Sequence, residues 1–386
     1  MNSPPEKADR RAKCVHMTTV HEWNDARIFV KECRSLAEAG YEVVYINPHE
    51  RAEVVEGVRL VPLAVPVRRW VRLGMLVTTW RALRAALREH AQVYHFHEPE
   101  LMLTGLLLKL GGKRVVYDQH ENWPQQVLPK RGGPFRFRCL RLAYSRACAL
   151  GQVVAGRVFD GIVAATSGIG SNFPAGKTVV LRNLPRIEEI LSVESKPFAE
   201  REAQVLYIGG ITIQRGARDM VEAMGMLPAE LPAQLVLAGY PHEDLFAQLD
   251  QLPGWGRTTY LGTVARTEVA ELLAASRIGL AILHPIANYV AGHPNKLTEY
   301  MAAGLPVIAT DLPLMRATIE DAGCGLIIPT EDPGALAEAI QWLLEHPEEA
   351  EAMGRRGQEA ARDRYNWEAE KPKLLQLYAR LTGGDH

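Results

Sequence analysis

Cysteine is sparse and unpatterned: five residues (Cys14, Cys33, Cys139, Cys148, Cys324) in 386, with no C-x-x-C pair. That excludes a zinc knuckle, a thioredoxin-type motif and a disulfide framework, and it reads as reduced thiols in a cytoplasmic protein. No apolar run reaches the ~18 residues of a membrane-spanning helix. The nearest, residues 150–166, is interrupted by Arg157 and Asp160, and Met1 to Lys13 is polar and charged, unlike a secretory leader. Neither half carries a G-x-G-x-x-G fingerprint followed by an acidic residue, so an ordinary NAD dehydrogenase is excluded. H-x-x-x-H and H-E-x-x-H spacings are missing, which gives no sequence basis for a metal. There is no short internal repeat and no low-complexity segment.

What the chain does have is an ordinary soluble composition, 47% hydrophobic and 23% charged, and a length that accommodates two or three domains. The net charge of −1 conceals an asymmetry: residues 1–190 hold 28 Lys+Arg against 18 Asp+Glu, and residues 191–386 hold 16 against 27. Two halves of opposite sign suggest two domains with different partners. Short apolar strands alternate with amphipathic helices, the signature of parallel sheets with helical crossovers. Strands are expected near 14–19, 41–46, 93–97, 114–118, 155–166 and 178–181, with a helix over 26–39 stopped by Gly40. The stretch 184–203, with its charges and two prolines, breaks the pattern and reads as a linker. A second alternation runs from Gln204 to Thr310, and Asp332-Pro333 opens a further helix with an N-cap followed by Pro. The expected organisation is two Rossmann-like α/β domains: 1–185, a linker 186–203, 204–365, and a C-terminal helix 366–386 crossing back to the first. Ligands are expected in the cleft that two such domains share, outside the carboxyl ends of the strands.

Two segments carry chemistry. His293–Asp311 (HPNKLTEYMAAGLPVIATD) reads as loop, helix and buried strand. Free N–H groups where Asn295 opens the helix form an anion site, Lys296 adds a full charge, and Glu299, one turn on, can accept both hydroxyls of a ribose. A surface helix with ordinary charges fits the same residues. Tyr207–Gly216 (YIGGITIQRG) ends a strand at Gly209-Gly210 and brings Arg215 in front of Gly216, a combination suited to a diphosphate, although a Gly-Gly pair alone is more often only a turn.

These two segments, in this order and about 85 residues apart, resemble the donor half of the family 4 glycosyltransferases, whose fold is GT-B. The first half agrees, through CVHMTTVHEWNDARIFVKECRSLAEAGYEVVYI, VYHFHEPEL and VVYDQHENWP, and the similarity extends from about residue 13 to 380. The resemblance implies transfer of a sugar from a nucleotide-diphosphate sugar, with UDP or GDP expected, to an acceptor hydroxyl, as in bacterial cell-surface polysaccharide or glycoconjugate synthesis, with retained anomeric configuration. Glu299 matches the ribose-binding glutamate, Lys296 and Asn295 fall in the donor loop, and Arg215 matches the basic residue that neutralises the diphosphate. Two positions depart: Gly210 stands where the family often has a second basic residue, and Ala291 where it usually has a second glutamate. His293 and the backbone around Gly292 are the nearest substitutes. His120 matches the histidine close to the transferred sugar, and Glu121 beside it can act as a general base. His97 and Glu98 end the preceding strand toward the same cleft, while His95 reads as a hydrogen-bonded core histidine. Asp25 and Arg27 lie in the first strand-to-helix loop near the acceptor or diphosphate, with helix capping as the alternative for Asp25. The family logic requires no cofactor and no metal, since basic side chains and helix N-termini neutralise the leaving group.

Residues 66–88 carry six Arg with Trp70 and Trp80, and 130–146 carry Lys130 and five Arg with Phe135, Phe137 and Tyr144. Such segments fit an anionic membrane surface on the cytoplasmic face and a glycan or lipid-linked acceptor; a solvated helix face is the alternative. No recognition motif supports nucleic acid. Two other functions fit the same sequence: a nucleotide-sugar epimerase or hydrolase of this fold, and a non-catalytic nucleotide-binding scaffold.

Overall fold

The computed structural model describes residues 12–64, 71–120, 135–240, 245–290, 292 and 294–383. The chain divides into two units, Met1–Asn183 with Glu370–His386, and Leu184–Ala369.

The first unit is built on eight strands: β1 (Lys13–Met17), β2 (Glu42–Asn47), β3 (Glu53–Val55), β4 (Val58–Pro62), β5 (Val93–Phe96), β6 (Arg114–Gln119), β7 (Gly161–Ala164) and β8 (Thr178–Val180). Their order is β3-β4-β2-β1-β5-β6-β7-β8, parallel except for the β3–β4 hairpin. The central strands are buried almost end to end, as expected when helices cover both faces of a parallel sheet. The order reverses between β1 and β5, so the crevice at their carboxyl ends is where an open α/β sheet takes ligands.

The helix expected over 26–39 begins as a π-type turn, Ile28–Cys33, before continuing as Arg34–Glu38. The wide turn is visible in the Glu32 N–H donating to the Arg27 carbonyl five residues back (3.0 Å). Its effect is to bring the side chains of Arg27 and Glu32 within 3.2 Å. The strand expected over 155–166 is instead the end of a long helix, Phe135–Val158, followed by β7. The apolar run spans both, and Asp160 marks the break: its carboxylate accepts from Val115 N (2.8 Å) and pairs with Lys109 (2.6 Å).

In the second unit β9 (Gln204–Ile208), β10 (Gln234–Ala238), β11 (Thr258–Gly262), β12 (Ile278–Ala281), β13 (Val307–Thr310) and β14 (Gly325–Ile328) form a parallel sheet ordered β11-β10-β9-β12-β13-β14. This is the doubly wound Rossmann order, with its reversal between β9 and β12. Residues 186–203, expected as a linker, are part of this unit. Ile190 and Phe198 are buried in its two core clusters, on short turns that prolines and charges conceal in the sequence. Asp332 caps the helix Pro333–Glu345 by accepting from Ala335 N (2.9 Å).

Helix Asn295–Ala302 is seated on the sheet by Tyr300, whose hydroxyl accepts from Ile208 N (3.0 Å) at the end of β9. Gly279 in β12 leaves room for that ring; a Cβ there would lie 2.4 Å from Tyr300 Cγ. Gly279→Ala should therefore destabilise the protein by about 1–3 kcal/mol through overpacking. Chemical denaturation reads the effect, and an unchanged midpoint would mean that the ring yields freely.

Candidate functional site

In the second unit, polar groups converge at the end of β9. Gly209 has φ +128°, a conformation L side chains rarely adopt, and a Cβ on it would meet Lys296 Nζ at 3.3 Å and Arg215 Nη1 at 3.6 Å. Two cations thus face one stretch of glycine backbone. Arg215 sits on a single 3-10 turn, Ile213–Arg215, opened by Thr212, whose hydroxyl accepts from Arg215 N (3.2 Å). Its guanidinium is aimed by Tyr289, with Nε donating to Tyr289 Oη at 3.1 Å. Lys296 lies in the first turn of helix Asn295–Ala302, and its Nζ stands 3.4 Å above the centre of the Tyr207 ring. The amine is buried and has no hydrogen-bond partner among the described residues. Burial, reinforced by the neighbouring Arg215 charge and only partly opposed by Glu299, pulls its pKa well below the ordinary lysine value. Glu299 lies on the wall of a cavity of about 140 Å³, with Ile190, Ile208, Val269 and Leu273 supplying apolar surface and Glu189 and Arg266 an ion pair.

In the first unit, β1, β5 and β6 present polar side chains at alternate positions, and these meet in the interior. Asp118 is the hub. Arg27 grips it with two hydrogen bonds, Nε to Oδ2 and Nη2 to Oδ1, both 3.0 Å, and donates Nη1 to the Leu181 carbonyl (2.9 Å). His120 Nε2 is 2.9 Å and His97 Nδ1 3.3 Å from Asp118 Oδ2. Burial alone would raise the Asp118 pKa; Arg27 and the two histidines outweigh it and hold the carboxyl well below its usual range. Burial pushes His97 down to about 4, despite the opposing pull of Asp118. Burial and the neighbouring imidazoles hold His16 and His95 well below the ordinary histidine range, and Glu32 is raised by burial and by Asp118. His120 is the partly exposed member, its side chain 20% accessible.

Of the residues expected from sequence, Gly209, Arg215 and Lys296 come together, with Gly210 adjoining and Asn295 beginning the helix beside them. Glu299 faces the neighbouring cavity. His120 lies at the mouth of the polar cluster. Arg27, His97 and Glu98, expected to face an acceptor, are instead buried structural partners. Arg27 and His97 are committed to Asp118, and Glu98 accepts from the Thr18 hydroxyl and from Thr19 N (3.1 Å). Burial raises Glu98 to about 8. Asp25 is a cap: its Oδ1 accepts from Arg27 N (2.9 Å) and Ile28 N (2.8 Å), and its other oxygen pairs with His21 (3.0 Å). Glu121, Ala291 and His293 lie outside the described residues. Sequence reasoning passed over Asp118, Tyr207, Tyr289, His16 and Tyr378. The i, i+2 pairs His95/His97 and Asp118/His120 were the available signal, since alternate strand residues share a face.

Two sets of side chains bring possible cation ligands within 4.8 Å of one another, His16, Glu32, His95 and His97, and His97, Asp118 and His120. In both, Arg27 already lies on the carboxylate, and most of the ring nitrogens are engaged in hydrogen bonds.

Each unit thus carries a doubly wound sheet, and the second sets a basic glycine turn beside the helix that bears Lys296 and, one turn on, Glu299. The model for "Glycosyltransferase Family 4" matches residues 26–153 and that for "Glycosyl transferases group 1" matches residues 189–360. The chain belongs to the family 4 glycosyltransferases, which transfer sugars from nucleotide sugars. It is 26% identical over 372 residues to a phosphatidyl-myo-inositol mannosyltransferase of Mycolicibacterium smegmatis, a match covering 90% of this chain and 88% of that one. It is 28% identical over 151 residues to the D-rhamnosyltransferase WbpZ of Pseudomonas aeruginosa, over 39% of this chain and 38% of that one. The fold matches a sucrose-phosphate synthase of Thermosynechococcus elongatus at a TM-score of 0.74 and 20% identity, over 97% of this chain and all of that one. It also matches HepE of Anabaena in complex with UDP and glucose, at 0.72 and 14%, over 96% of this chain and all of that one.

The Lys296 amine gives up its proton below the ordinary lysine pKa, and an anion beside it would restore that proton. Pyrophosphate binding should therefore take up a proton between the depressed and the ordinary value, and affinity should fall as pH rises through that window. Calorimetry in buffers of different ionisation enthalpy reads the uptake. Lys296→Arg, charged throughout, should bind without it. No uptake by the wild type would mean that the amine is charged before any anion arrives.

Proposed function

We propose that the second unit holds the nucleotide diphosphate of the sugar donor, that the first unit holds the acceptor, and that His120 acts at the transferred sugar. The observation that carries this reading is the buried amine of Lys296, without a partner among the described residues, standing beside Arg215 over the Gly209 backbone. A buried cation lacking a counter-charge is costly unless a ligand supplies one. A diphosphate leaving group does so as its charge develops, which is the electrostatic assistance glycosyl transfer needs. Glu299 takes the ribose hydroxyls, and the cavity it borders takes the base. Two basic side chains in this position support departure of the diphosphate without a divalent ion, and the family resemblance supports retention of configuration.

The acceptor is a glycan or a lipid-linked glycan, in cell-surface polysaccharide or glycoconjugate synthesis, and the protein works at the inner membrane surface. On helix Val71–Arg88, Val77, Trp80, Arg81, Arg84, Leu87 and Arg88 are exposed at helical spacing, a mixed apolar and basic stripe suited to an anionic interface. No helix among the described residues is long and apolar enough to cross a membrane.

Titration with UDP, GDP, CDP, dTDP and ADP, with and without EDTA, tests the donor site. One diphosphate should bind regardless of EDTA, and Glu299→Ala should weaken it by about tenfold, the worth of one charge-assisted hydrogen bond. Loss of binding in EDTA would overturn metal independence, and an unchanged Glu299→Ala affinity would remove that residue from the site. The anomeric configuration of product formed from the matching donor should be retained. Flotation with anionic vesicles should carry the protein, and Trp80→Ala with Arg81→Glu and Arg84→Glu should release it. Failure of the wild type to float would dismiss the membrane role.

A further inference from the structure

Behind His120 the first unit carries a continuous line of hydrogen bonds that transfer chemistry alone does not require. Tyr378, on the C-terminal helix Trp367–Thr382, lies with its hydroxyl 2.9 Å from His95 Nδ1 and 2.8 Å from His16 Nε2. His16 Nδ1 is 3.1 Å from His97 Nε2, and His97 Nδ1 is 3.3 Å from Asp118 Oδ2, which also receives His120 Nε2 at 2.9 Å. Tyr378, His16, His95, His97 and Asp118 are buried, and among the described residues His120 is the member of this line that is partly exposed.

The proton positions follow from one end. Asp118 is ionised beneath the Arg27 guanidinium and can only accept, so His97 must present Nδ1–H and His120 must present Nε2–H. The alternative, His97 Nδ1–H donating to His120 Nε2 at 3.4 Å, would leave a bare nitrogen lone pair 2.9 Å from the carboxylate. A neutral His97 then has an accepting Nε2, which obliges His16 to donate from Nδ1. His16 Nε2 accepts from the Tyr378 hydroxyl, and the Tyr378 oxygen accepts from His95 Nδ1–H. The remaining nitrogen, His95 Nε2, should be a lone pair with nothing to bind, and it is without a hydrogen-bond partner among the described residues. Other charged or titratable groups near the line include Arg27, on Asp118, Glu32, whose Oε2 is 4.0 Å from His95 Nδ1, His21, whose ring lies 5.9 Å from that of His120, and Tyr41, whose ring lies 5.8 Å from that of Tyr378.

We propose that Tyr378, His16 and His97 form a one-directional hydrogen-bond chain that ends on Asp118, the carboxylate that holds His120 in a single tautomer with Nε2–H on Asp118 and Nδ1 free to accept, making Tyr378 a positioning residue for the transferase. Every hydrogen in the chain points toward Asp118. A proton taken up at His120 cannot pass inward, because each nitrogen that would receive it already carries one. The chain is a lock and not a wire. It also makes the set of His120 depend on the seating of the C-terminal helix. The functional consequence rests on the proposed role of His120; the tautomers do not.

Long-range ¹H–¹⁵N spectra of the histidine-labelled, full-length protein near neutral pH test the lock without any variant. His16, His95 and His97 should each show Nδ1–H and His120 Nε2–H. An Nε2–H on His97, or tautomer mixtures at His16 or His97, would overturn the proposal. In Tyr378→Phe, which keeps the ring, His95 should become a mixture while His16 keeps Nδ1–H toward His97. Its kcat should fall about tenfold, in the range of residues that orient a working histidine from behind, with the donor KM unchanged. His97→Asn, whose amide can replace Nδ1–H toward Asp118, should retain most of the kcat that His97→Ala loses. Unchanged tautomers and kcat in Tyr378→Phe would leave Tyr378 as packing only. If the protein transfers no sugar while the spectra agree, the lock stands and the function assigned to His120 fails.

Discussion

The first unit is organised around the bidentate pair between Arg27 and Asp118. Both groups are buried, one from the loop after β1 and the other at the end of β6, so the pair spans the strand between them. A third donor reaches the Leu181 carbonyl just beyond β8, and one guanidinium thereby ties together the carboxyl edge of half the sheet. Removing one partner of such a pair leaves an uncompensated buried charge, worth about 3–5 kcal/mol. The π-type turn belongs to this arrangement, since it is the wide winding that brings Glu32 against the same guanidinium. Once Asp118 is ionised and acceptor-only, the orientation of every histidine behind it follows from hydrogen-bond counting.

The second unit treats its charge in the opposite way. Lys296 is as buried as Arg27, yet among the described residues no carboxylate grips it; an aromatic face and a nearby guanidinium lie beside it. Cation–π contact returns only about 0.5–2 kcal/mol, less than desolvation of the ammonium costs. Satisfied charge in one unit holds a fold, and unsatisfied charge in the other is poised for an anion. This contrast separates the residues that line a site from those that support one, and it moves Arg27, His97 and Glu98 into the supporting role.

Much of the architecture was legible because the alternation of short apolar strands with helices is a strong, repeated signal. The approach of Arg215 and Lys296 to one glycine turn was legible too, through glycine punctuation and helical spacing. What escaped has a common physical cause. Tyr289 aims Arg215 from 74 residues away and Tyr378 reaches His16 across 362, contacts that no local period encodes. The supporting role of Arg27 depends on a π-type turn, and an amphipathic pattern looks the same for that winding as for an α-helix. The 186–203 segment misled for a related reason: two buried residues among many charges are enough to seat it.

The glycine at 210, where the family resemblance leads to the expectation of a basic side chain, acquires a physical reading from the same geometry. A Cβ at that position would lie 3.8 Å from Arg215 Nη1, so a basic residue there would start alongside an existing guanidinium. Tyr207 closes the turn from beneath by donating its hydroxyl to the Gly210 carbonyl (2.9 Å), while offering its face to Lys296. A third cation would crowd two that have no counter-charge among the described residues, deepening the repulsion that depresses Lys296. With Gly210, the turn confines the positive charge to two side chains of different kind: a guanidinium with a fixed fork and an amine whose proton depends on what is bound.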